Sequence, residues 1–281
     1  MSDHEKSFIE TKIFNFDRDE IKKICEDFFT LYTDTFDEIK KQVGDMCELK
    51  KIHTREVADN SIRIAGDMGL SDYDTDIAWI IGELHDFARF GQAAVTNSLD
   101  DSDEYQHAQQ GVRLLFDCGL IEDIIHDYDK MCDEDKIVIK KAIYYHSDYQ
   151  LPDDLTERER MFGQIIREAD QLDIFRVIAE TDWGVTYGCS PGELLKTDIS
   201  APIEEAFYNR RMAEYSKRVT PADFHMAHVA ICFGLESESA RKRAVQQGYI
   251  MKMLDIEFSD PDVQKRFLKM KKQVEDFLNI N

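Results

Sequence analysis

The chain has 281 residues, of which 43% are hydrophobic, and this is enough apolar material for one large core or two modest ones. Lysine and arginine number 35 against 57 aspartates and glutamates, so the formal net charge is -22. We therefore expect no general binding to nucleic acid, because the phosphate backbone demands a basic surface, and adhesion to anionic membranes is disfavoured. A small anionic substrate stays compatible with this charge, since a buried metal centre can dominate its local field.

Neither a membrane span nor an export signal is predicted. The longest apolar runs, such as residues 77–82, are far too short to cross a bilayer, and the first residues, M-S-D-H-E-K, contain no signal-peptide core. We therefore expect a cytoplasmic protein. Its cysteines are scattered without a C-x-x-C pair, which is typical of reduced thiols: Cys25, Cys47, Cys118, Cys132, Cys189 and Cys232.

Apolar residues recur at three- and four-residue intervals through most of the chain, and strand patterns are nearly absent, so the sequence predicts an all-α fold. Gly69 is placed to end one helix, and Ser71 is placed to cap the next. Residues 91–104 are polar and irregular and predict a loop over the site. The predicted helices span about residues 19–47, 53–68, 71–86, 105–118, 121–131, 134–145 and 156–180.

The composition of the chain changes near residue 183. Glycine and proline cluster just after Trp183, which is typical of a boundary. The predicted organisation is an N-terminal helical segment of residues 1–48, a metal-binding core of residues 49–182 and a C-terminal helical extension of residues 183–281. Three helices are expected in the extension, two of them at residues 225–233 and 261–278.

Histidines and aspartates in or at the ends of the predicted helices are candidates for a metal site. A metal centre that activates water at neutral pH needs several nitrogen and oxygen ligands that converge from different helices. Side chains on helices can project into the core of a bundle in this way. The candidates in chain order are His53, His85, Asp86, His107, His146 and Asp170.

The dipeptide His-Asp occurs twice, and its context separates the two copies. His85 and Asp86 follow the apolar run I-A-W-I-I-G-E-L, where ionisable groups are expensive unless they are paired or bound to metal. His126 and Asp127 precede Y-D-K-M, in a stretch with the pattern of a solvated amphipathic helix. The first copy is therefore the functional candidate.

Two other polar groups have a simpler interpretation. His225 and His228 lie three apart on one predicted helical face, where two imidazoles can chelate a metal, but the surrounding A-D-F-H-M-A-H-V-A favours a packing pair or a polar interruption. The acidic run from Asp100 to Glu104 is interpreted as a solvated loop, with the alternative that it shapes entry to the site.

The motifs follow a recognisable order: His53, then L-H-D-F-A-R-F-G-Q, Q-H-A-Q-Q-G, Y-Y-H-S and R-E-A-D-Q-L-D. This order resembles the HD superfamily of metal-dependent phosphohydrolases, whose small bacterial members carry H-D-I-G-R-F-x-Q, Y-H-N and D-A-D-K-L-D in corresponding places. The resemblance covers about residues 51–176. It implies an HD-domain helical bundle, with additional N- and C-terminal helices.

The resemblance also implies a ligand set. A first metal would have four ligands, His53, His85, Asp86 and Asp170. A second metal would be bridged by Asp86 and held by His107 and His146. One or two such ions would generate hydroxide for attack on the phosphate ester of a nucleotide or other small phosphorylated metabolite. Imidazole and carboxylate ligands without thiolate suit divalent Fe, Mn, Zn, Co or Ni.

Arg89 matches the basic position that the family has after its metal-binding dipeptide. Its guanidinium could bind a phosphate with two hydrogen bonds, so Arg89 is the predicted substrate-binding residue. Asp86 and Arg89 are together the predicted catalytic residues. The alternative is that Arg89 forms a structural ion pair in this acidic chain. The sequence departs from the family's pattern at four positions that are not ligands, Ala88, Ser147, Glu168 and Gln171.

Two further functions share this pattern. A di-iron oxygenase of the myo-inositol oxygenase type uses the same order of ligands on the same fold, so ligand identity does not separate it from a hydrolase. A signalling domain that binds nucleotide without turnover is the other alternative, and the intact ligand set argues against it. The cyclic-dinucleotide subgroup marked by H-D-G-Y-P is disfavoured, because no G-Y-P follows His146.

Overall fold

The structure, a computed structural model, describes residues 14–39 and 41–280, of which residues 36–39 by their backbone alone. Helices form all the regular structure of this part, apart from one isolated bridge between Ser102 and Tyr105. The predicted all-α fold is confirmed. The first six α-helices are α1 (Arg18–Ile39), α2 (Lys41–Asp67), α3 (Asp72–Leu84), α4 (Arg89–Thr96), α5 (His107–Val112) and α6 (Leu120–Ile124).

The remaining helices continue to the end of the described chain. A π-helical turn at Arg113–Asp117 extends α5, and short 3-10 turns lie at Tyr128–Lys130, Tyr215–Lys217 and Ile231–Gly234. The other α-helices are α7 (Asp133–Tyr145), α8 (Glu157–Glu180), α9 (Trp183–Tyr187), α10 (Pro191–Leu194), α11 (Ala201–Tyr208), α12 (Pro221–Ala230), α13 (Glu238–Gln247), α14 (Tyr249–Met253) and α15 (Pro261–Phe277).

Helix α2 is the centre of the N-terminal half and packs against α1, α3 and α8. It begins at Lys41, so the predicted helix start at His53 is wrong, and the expected boundary between residues 48 and 49 falls inside a continuous helix. The physical reason is that residues 48–52 contain neither glycine nor proline to interrupt it. His53 consequently lies in the middle of α2.

The connection from α2 to α3 has the predicted chemistry. Gly69 takes a positive φ of 73°, and the Ser71 hydroxyl accepts a hydrogen bond from the backbone NH of Asp74. The two helices then approach closely at Gly82, where a Cβ would lie 2.7 Å from Cα of Ala58. Glycine at this position lets the end of α3 lie directly on the face of α2.

Two other predicted segments differ from the structure. The expected loop at residues 91–104 is helical over its first part, because α4 buries Phe90 and Ala93 one turn apart. The helix is followed by Asn97, which has a φ of 58°. The expected helix at residues 121–131 stops at Ile124. The backbone becomes extended at Ile125, which caps α6, and Asp127 then takes a left-handed φ of 59° before the 3-10 turn that follows.

The C-terminal region contains more helices than the three predicted. Helices α12, α13 and α14 pack against α8, and the buried apolar residues form one cluster from Phe16 to Leu278. All six cysteines are free. The helices in the described part of the chain include none that is long and apolar enough to cross a membrane. Helix α8 therefore packs against α2 in the N-terminal half and against α12, α13 and α14 in the C-terminal half.

Candidate metal centre

The structure brings all six predicted ligands together at one end of a cavity of about 900 Å³. They come from five helices, and each lies within a helix or directly after its last residue. His53 lies within α2, His85 and Asp86 directly follow α3, and His107 opens α5. His146 directly follows α7, and Asp170 lies within α8. Five of them line the cavity, while His85 lies behind them and is fully buried.

Two of the histidines donate their Nδ1 proton to a backbone carbonyl. His85 Nδ1 lies 2.7 Å from the oxygen of Gly82, and His146 Nδ1 lies 2.7 Å from the oxygen of Ile143. A carbonyl oxygen only accepts, so the proton of each neutral ring is on Nδ1. The Nε2 atom of each ring is left with a lone pair that points into the site.

The other two histidines donate Nδ1 to a carboxylate. His53 Nδ1 lies 2.7 Å from Asp173 Oδ2, and His107 Nδ1 lies 2.7 Å from Asp101 Oδ2. Arg176 in turn donates to both oxygens of Asp173. Carboxylates behind metal-binding histidines orient the ring and raise its basicity. All four imidazoles therefore present Nε2 as an acceptor.

The acceptors of His53 and His85 form a first group with Asp170 and one oxygen of Asp86. His53 Nε2 lies 3.1 Å from Asp170 Oδ1 and 3.6 Å from Asp86 Oδ2, and His85 Nε2 lies 3.5 Å from Asp86 Oδ2. Both Nε2 atoms are buried, and neither has a hydrogen-bond partner. Buried polar atoms without a partner are costly, so this group favours a ligand between them.

A second group surrounds the other oxygen of Asp86. The Nε2 atoms of His107 and His146 face each other at 2.9 Å, and Asp86 Oδ1 lies 3.3 Å from the first and 3.8 Å from the second. Two lone pairs at this distance repel unless a positive charge lies between or beside them. Two sets of these residues lie close enough to hold a metal ion, His53 with His85 and Asp170, and His85 with Asp86 and His146. His107 adjoins the second set through its contact with His146, and the nitrogen and oxygen donors fit a divalent transition metal.

The protonation states of His85, His107 and Asp86 agree with metal binding. For His53, burial lowers the pKa, but the hydrogen bonds to Asp170 and Asp173 outweigh burial and raise it. Burial lowers the pKa of His85, and burial likewise lowers the pKa of His107 to about 4, so both rings are neutral at physiological pH. Burial of Asp86 favours its neutral form, but Lys50, His85 and His146 outweigh it and hold the pKa of that carboxyl well below its usual range. Neutral imidazole and ionised carboxylate are the forms that bind metal.

Lys50 is a site residue that the sequence analysis missed. Its Nζ donates to Asp86 Oδ2 at 2.6 Å, and its side chain is only 16% exposed. Lys50 precedes His53 by three residues, so both lie on one face of α2, and this spacing is the signal that could have identified it. The ammonium supplies a positive charge beside the carboxylate of Asp86.

Asp101 and Asp173 were also missed as partners of the site. The sequence predicts a solvated loop at residues 100–104, with the alternative that this run shapes entry to the site. In the structure Asp101 accepts from the ring and the backbone NH of His107 and pairs with Arg89 at 3.0 Å. No local pattern distinguishes Asp101 from its acidic neighbours. Asp173 follows Asp170 by three residues on α8, and this helical spacing could have indicated it.

Replacing Asp101 should weaken the second group selectively. In Asp101→Asn we expect the affinity for an ion at His107 and His146 to fall about 10–100-fold, because an amide orients Nδ1 less well than a carboxylate does. Titration of metal-free protein with Mn²⁺, followed by calorimetry, measures this. The exposed Asp103→Asn variant is the matched control. An equal loss at both groups, or none, would contradict the assignment.

Arg89 lies at the rim of the second group and lines the cavity. Its Nη1 donates to Gln92 at 2.7 Å, to the carbonyl of Leu99 and to Asp101. Its Nε is buried without a hydrogen-bond partner, 3.4 Å from Asp86 Oδ1. These contacts fix one edge of the Arg89 guanidinium. The role of Arg89 in binding a substrate stays a prediction.

The remaining candidate histidines lie away from the six ligands. His126 is 83% exposed beside Asp127, on a turn. His225 donates Nε2 to the carbonyl of Met253 at 2.9 Å, and its Nδ1 lies 3.0 Å from the hydroxyl of Tyr187, so it is a satisfied packing residue. His228 lies near the same hydroxyl and lines the far part of the cavity.

His225 should make stability depend on pH. Burial lowers the pKa of His225 from 6.5 to about 4, so across this window the unfolded chain binds a proton that the folded protein does not. The free energy of unfolding should therefore fall as the pH is lowered from 6.5 to about 4, and this histidine should account for about 3 kcal/mol of the fall at most. Urea unfolding on both sides of the window should show a smaller loss for His225→Gln than for the wild type or the exposed control His126→Gln. Identical losses would contradict this.

Comparison with known proteins adds no family assignment. No protein-family model matches the chain, and neither the curated proteins nor the solved structures contain a match. The chemistry of the site is therefore argued from its own atoms.

Proposed function

We propose that this chain is a metal-dependent phosphohydrolase of the HD superfamily, which cleaves the phosphate ester of a nucleotide or other small phosphorylated metabolite. The observation that supports it most is the common orientation of four imidazoles. Each donates Nδ1 to a carbonyl or a carboxylate, and each turns Nε2 toward Asp86 or Asp170. Such an arrangement is costly in a protein interior unless cations compensate it.

The residues divide into two ligand groups that share Asp86. The first ion would be held by His53, His85, Asp86 and Asp170, and the second by Asp86, His107 and His146. When bound, such ions lower the pKa of water toward neutrality and offset charge on phosphoryl oxygens. The absence of thiolate from both groups suits Fe, Mn, Zn, Co or Ni.

The other polar residues of the site act on the substrate and on the ligands. Asp173 and Asp101 fix the ring orientation of His53 and His107. Lys50 and Arg89 bring positive charge to the cavity wall, and the unpartnered Nε of Arg89 is a donor available to a phosphoryl oxygen. Cationic donors of this kind stabilise the negative charge of a phosphoryl group.

Elemental analysis of purified protein, beside a screen of phosphate esters, tests the proposal. We expect bound transition metal and release of phosphate under anaerobic conditions with Mn²⁺ or Zn²⁺. Loss of an organic substrate that requires both oxygen and iron would instead establish the oxygenase alternative. Metal-free protein that releases no phosphate with any of these ions would contradict the proposal.

A further inference from the structure

The cavity extends far beyond the six ligands. Its volume of about 900 Å³ is in the upper part of the range for sites that enclose a whole small molecule, and a phosphate group alone fills a small fraction of it. One wall is apolar and comes from Ile174, Val177 and Ile178 of α8, with Ala227 of α12 and Ile231 just after it. This wall would contact the organic part of an ester whose phosphate lies at the ligands.

A further part of the cavity wall comes from residues 212–216 and from Arg218, which belong to the C-terminal region. The guanidinium carbon of Arg218 lies 3.3 Å from the ring centroid of Tyr215 and 4.5 Å from that of Phe224. Its Nε donates to the carbonyl of Tyr215 at 3.2 Å. Stacking on two rings and a backbone hydrogen bond fix the orientation of this guanidinium before any ligand arrives.

Arg218 nevertheless has unused hydrogen-bonding capacity. Its Nη2 is buried and has no hydrogen-bond partner, and among the described residues no carboxylate lies within 4.0 Å of its nitrogens. Asp100 is the acidic residue near enough to influence its pKa, which burial lowers. An arginine left unpaired in a chain with a net charge of -22 indicates that an anion comes from elsewhere.

We propose that Arg218 binds a second anionic group of the substrate, so that the substrate is a phosphate ester whose organic part joins the scissile phosphate to a distal carboxylate or phosphate. The apolar side chains of α8 and α12 line the same cavity and would contact the organic part between the two groups. A planar guanidinium suits both oxyanions, because each accepts two parallel hydrogen bonds. This inference rests on the proposed function, which supplies the position of the scissile phosphate.

Matched substrates test whether Arg218 binds a second anionic group. Alkyl phosphates of increasing chain length are compared with the same chains ending in a carboxylate or in a second phosphate. The wild type should hydrolyse one doubly anionic series with a kcat/KM on the order of 10–100-fold above that of the plain series, mainly through KM. Which series is preferred identifies the distal group. Equal rates for all three series would overturn the inference while leaving the proposed function standing.

Variants separate Arg218 from the rest of the site. Arg218→Gln should lower the kcat/KM for the doubly anionic series to the value for the plain alkyl phosphates, and Arg218→Lys should retain part of the preference. The matched control is Arg211→Gln, since Arg211 is exposed, pairs with Glu205 at 3.1 Å and lies outside this cavity. A preference that survives in Arg218→Gln would overturn the inference.

Binding measurements keep the test independent of turnover. If no phosphate is released, the proposed function fails, and calorimetry with the corresponding hydroxyalkanoates and diol monophosphates still examines Arg218. Tighter binding of these anions than of the plain alcohols, lost in Arg218→Gln but kept in Arg211→Gln, would support the role of Arg218. Equal binding of anions and alcohols to the wild type would overturn it.

Discussion

Asp86→Ala should lose bound metal and all turnover while the protein stays folded. The two oxygens of this carboxylate face different groups of imidazoles, Oδ2 toward His53 and His85 and Oδ1 toward His107 and His146. Removing one side chain therefore removes a ligand from both groups at once. Elemental analysis, a phosphatase assay and circular dichroism measure the three expected results.

The structure provides sharp controls for this variant. Asp86→Asn keeps the shape of the side chain and should lose metal as well, because an amide is a weaker ligand. Asp127→Asn changes the other, exposed His-Asp dipeptide and should leave metal content and turnover unchanged. Asp86→Ala also leaves Lys50 without its partner, so some stability is lost, and adding Lys50→Met should restore stability but not metal. Full activity in Asp86→Ala would rule the mechanism out.

Adding Mn²⁺ or Zn²⁺ to metal-free protein should stabilise the fold strongly. With a free ion concentration about 1,000 times the dissociation constant, the free energy of unfolding should rise by about 4 kcal/mol, provided that the unfolded chain does not bind the ion. The physical reason is that the ion relieves repulsion between acceptors, such as the Nε2 atoms of His107 and His146 at 2.9 Å.

Urea unfolding with and without a chelator measures this stabilisation, and the rise should disappear in Asp86→Asn. Excess chelator should reverse it in the wild type. Unchanged stability on addition of either ion would favour a domain that binds a nucleotide without turnover, and it would remove the basis for the proposed hydrolysis.

Local chemistry made much of the fold predictable from the sequence. Ser71 and Thr156 begin α3 and α8 as predicted, since a cap depends only on residues within one turn. The helix interruptions were less predictable. Helix α6 ends at the extended Ile125 although residues 120–130 contain neither glycine nor proline, and residues 48–52 continue α2 where a boundary was expected.

The candidate site was predictable as a set of residues but not as an arrangement. Histidines and aspartates on apolar helices, such as His85, are recognisable because they are expensive there. Their partners depend on packing between distant segments: Asp101 reaches His107 from an irregular stretch, and Arg218 enters the cavity from the C-terminal region. Sequence spacing carries no signal for such contacts.

The Asp101 carboxylate contacts three separate groups: the His107 ring, the backbone NH that begins α5 and the Arg89 guanidinium. Ordering of residues 97–104 and occupancy of the second ligand group are therefore reciprocal, so whatever favours one must favour the other by an equal free energy. We expect ion binding to protect this stretch from proteases, and equal cleavage with and without the ion would refute it. The same ion would then order the segment beside the cavity and complete the second ligand group.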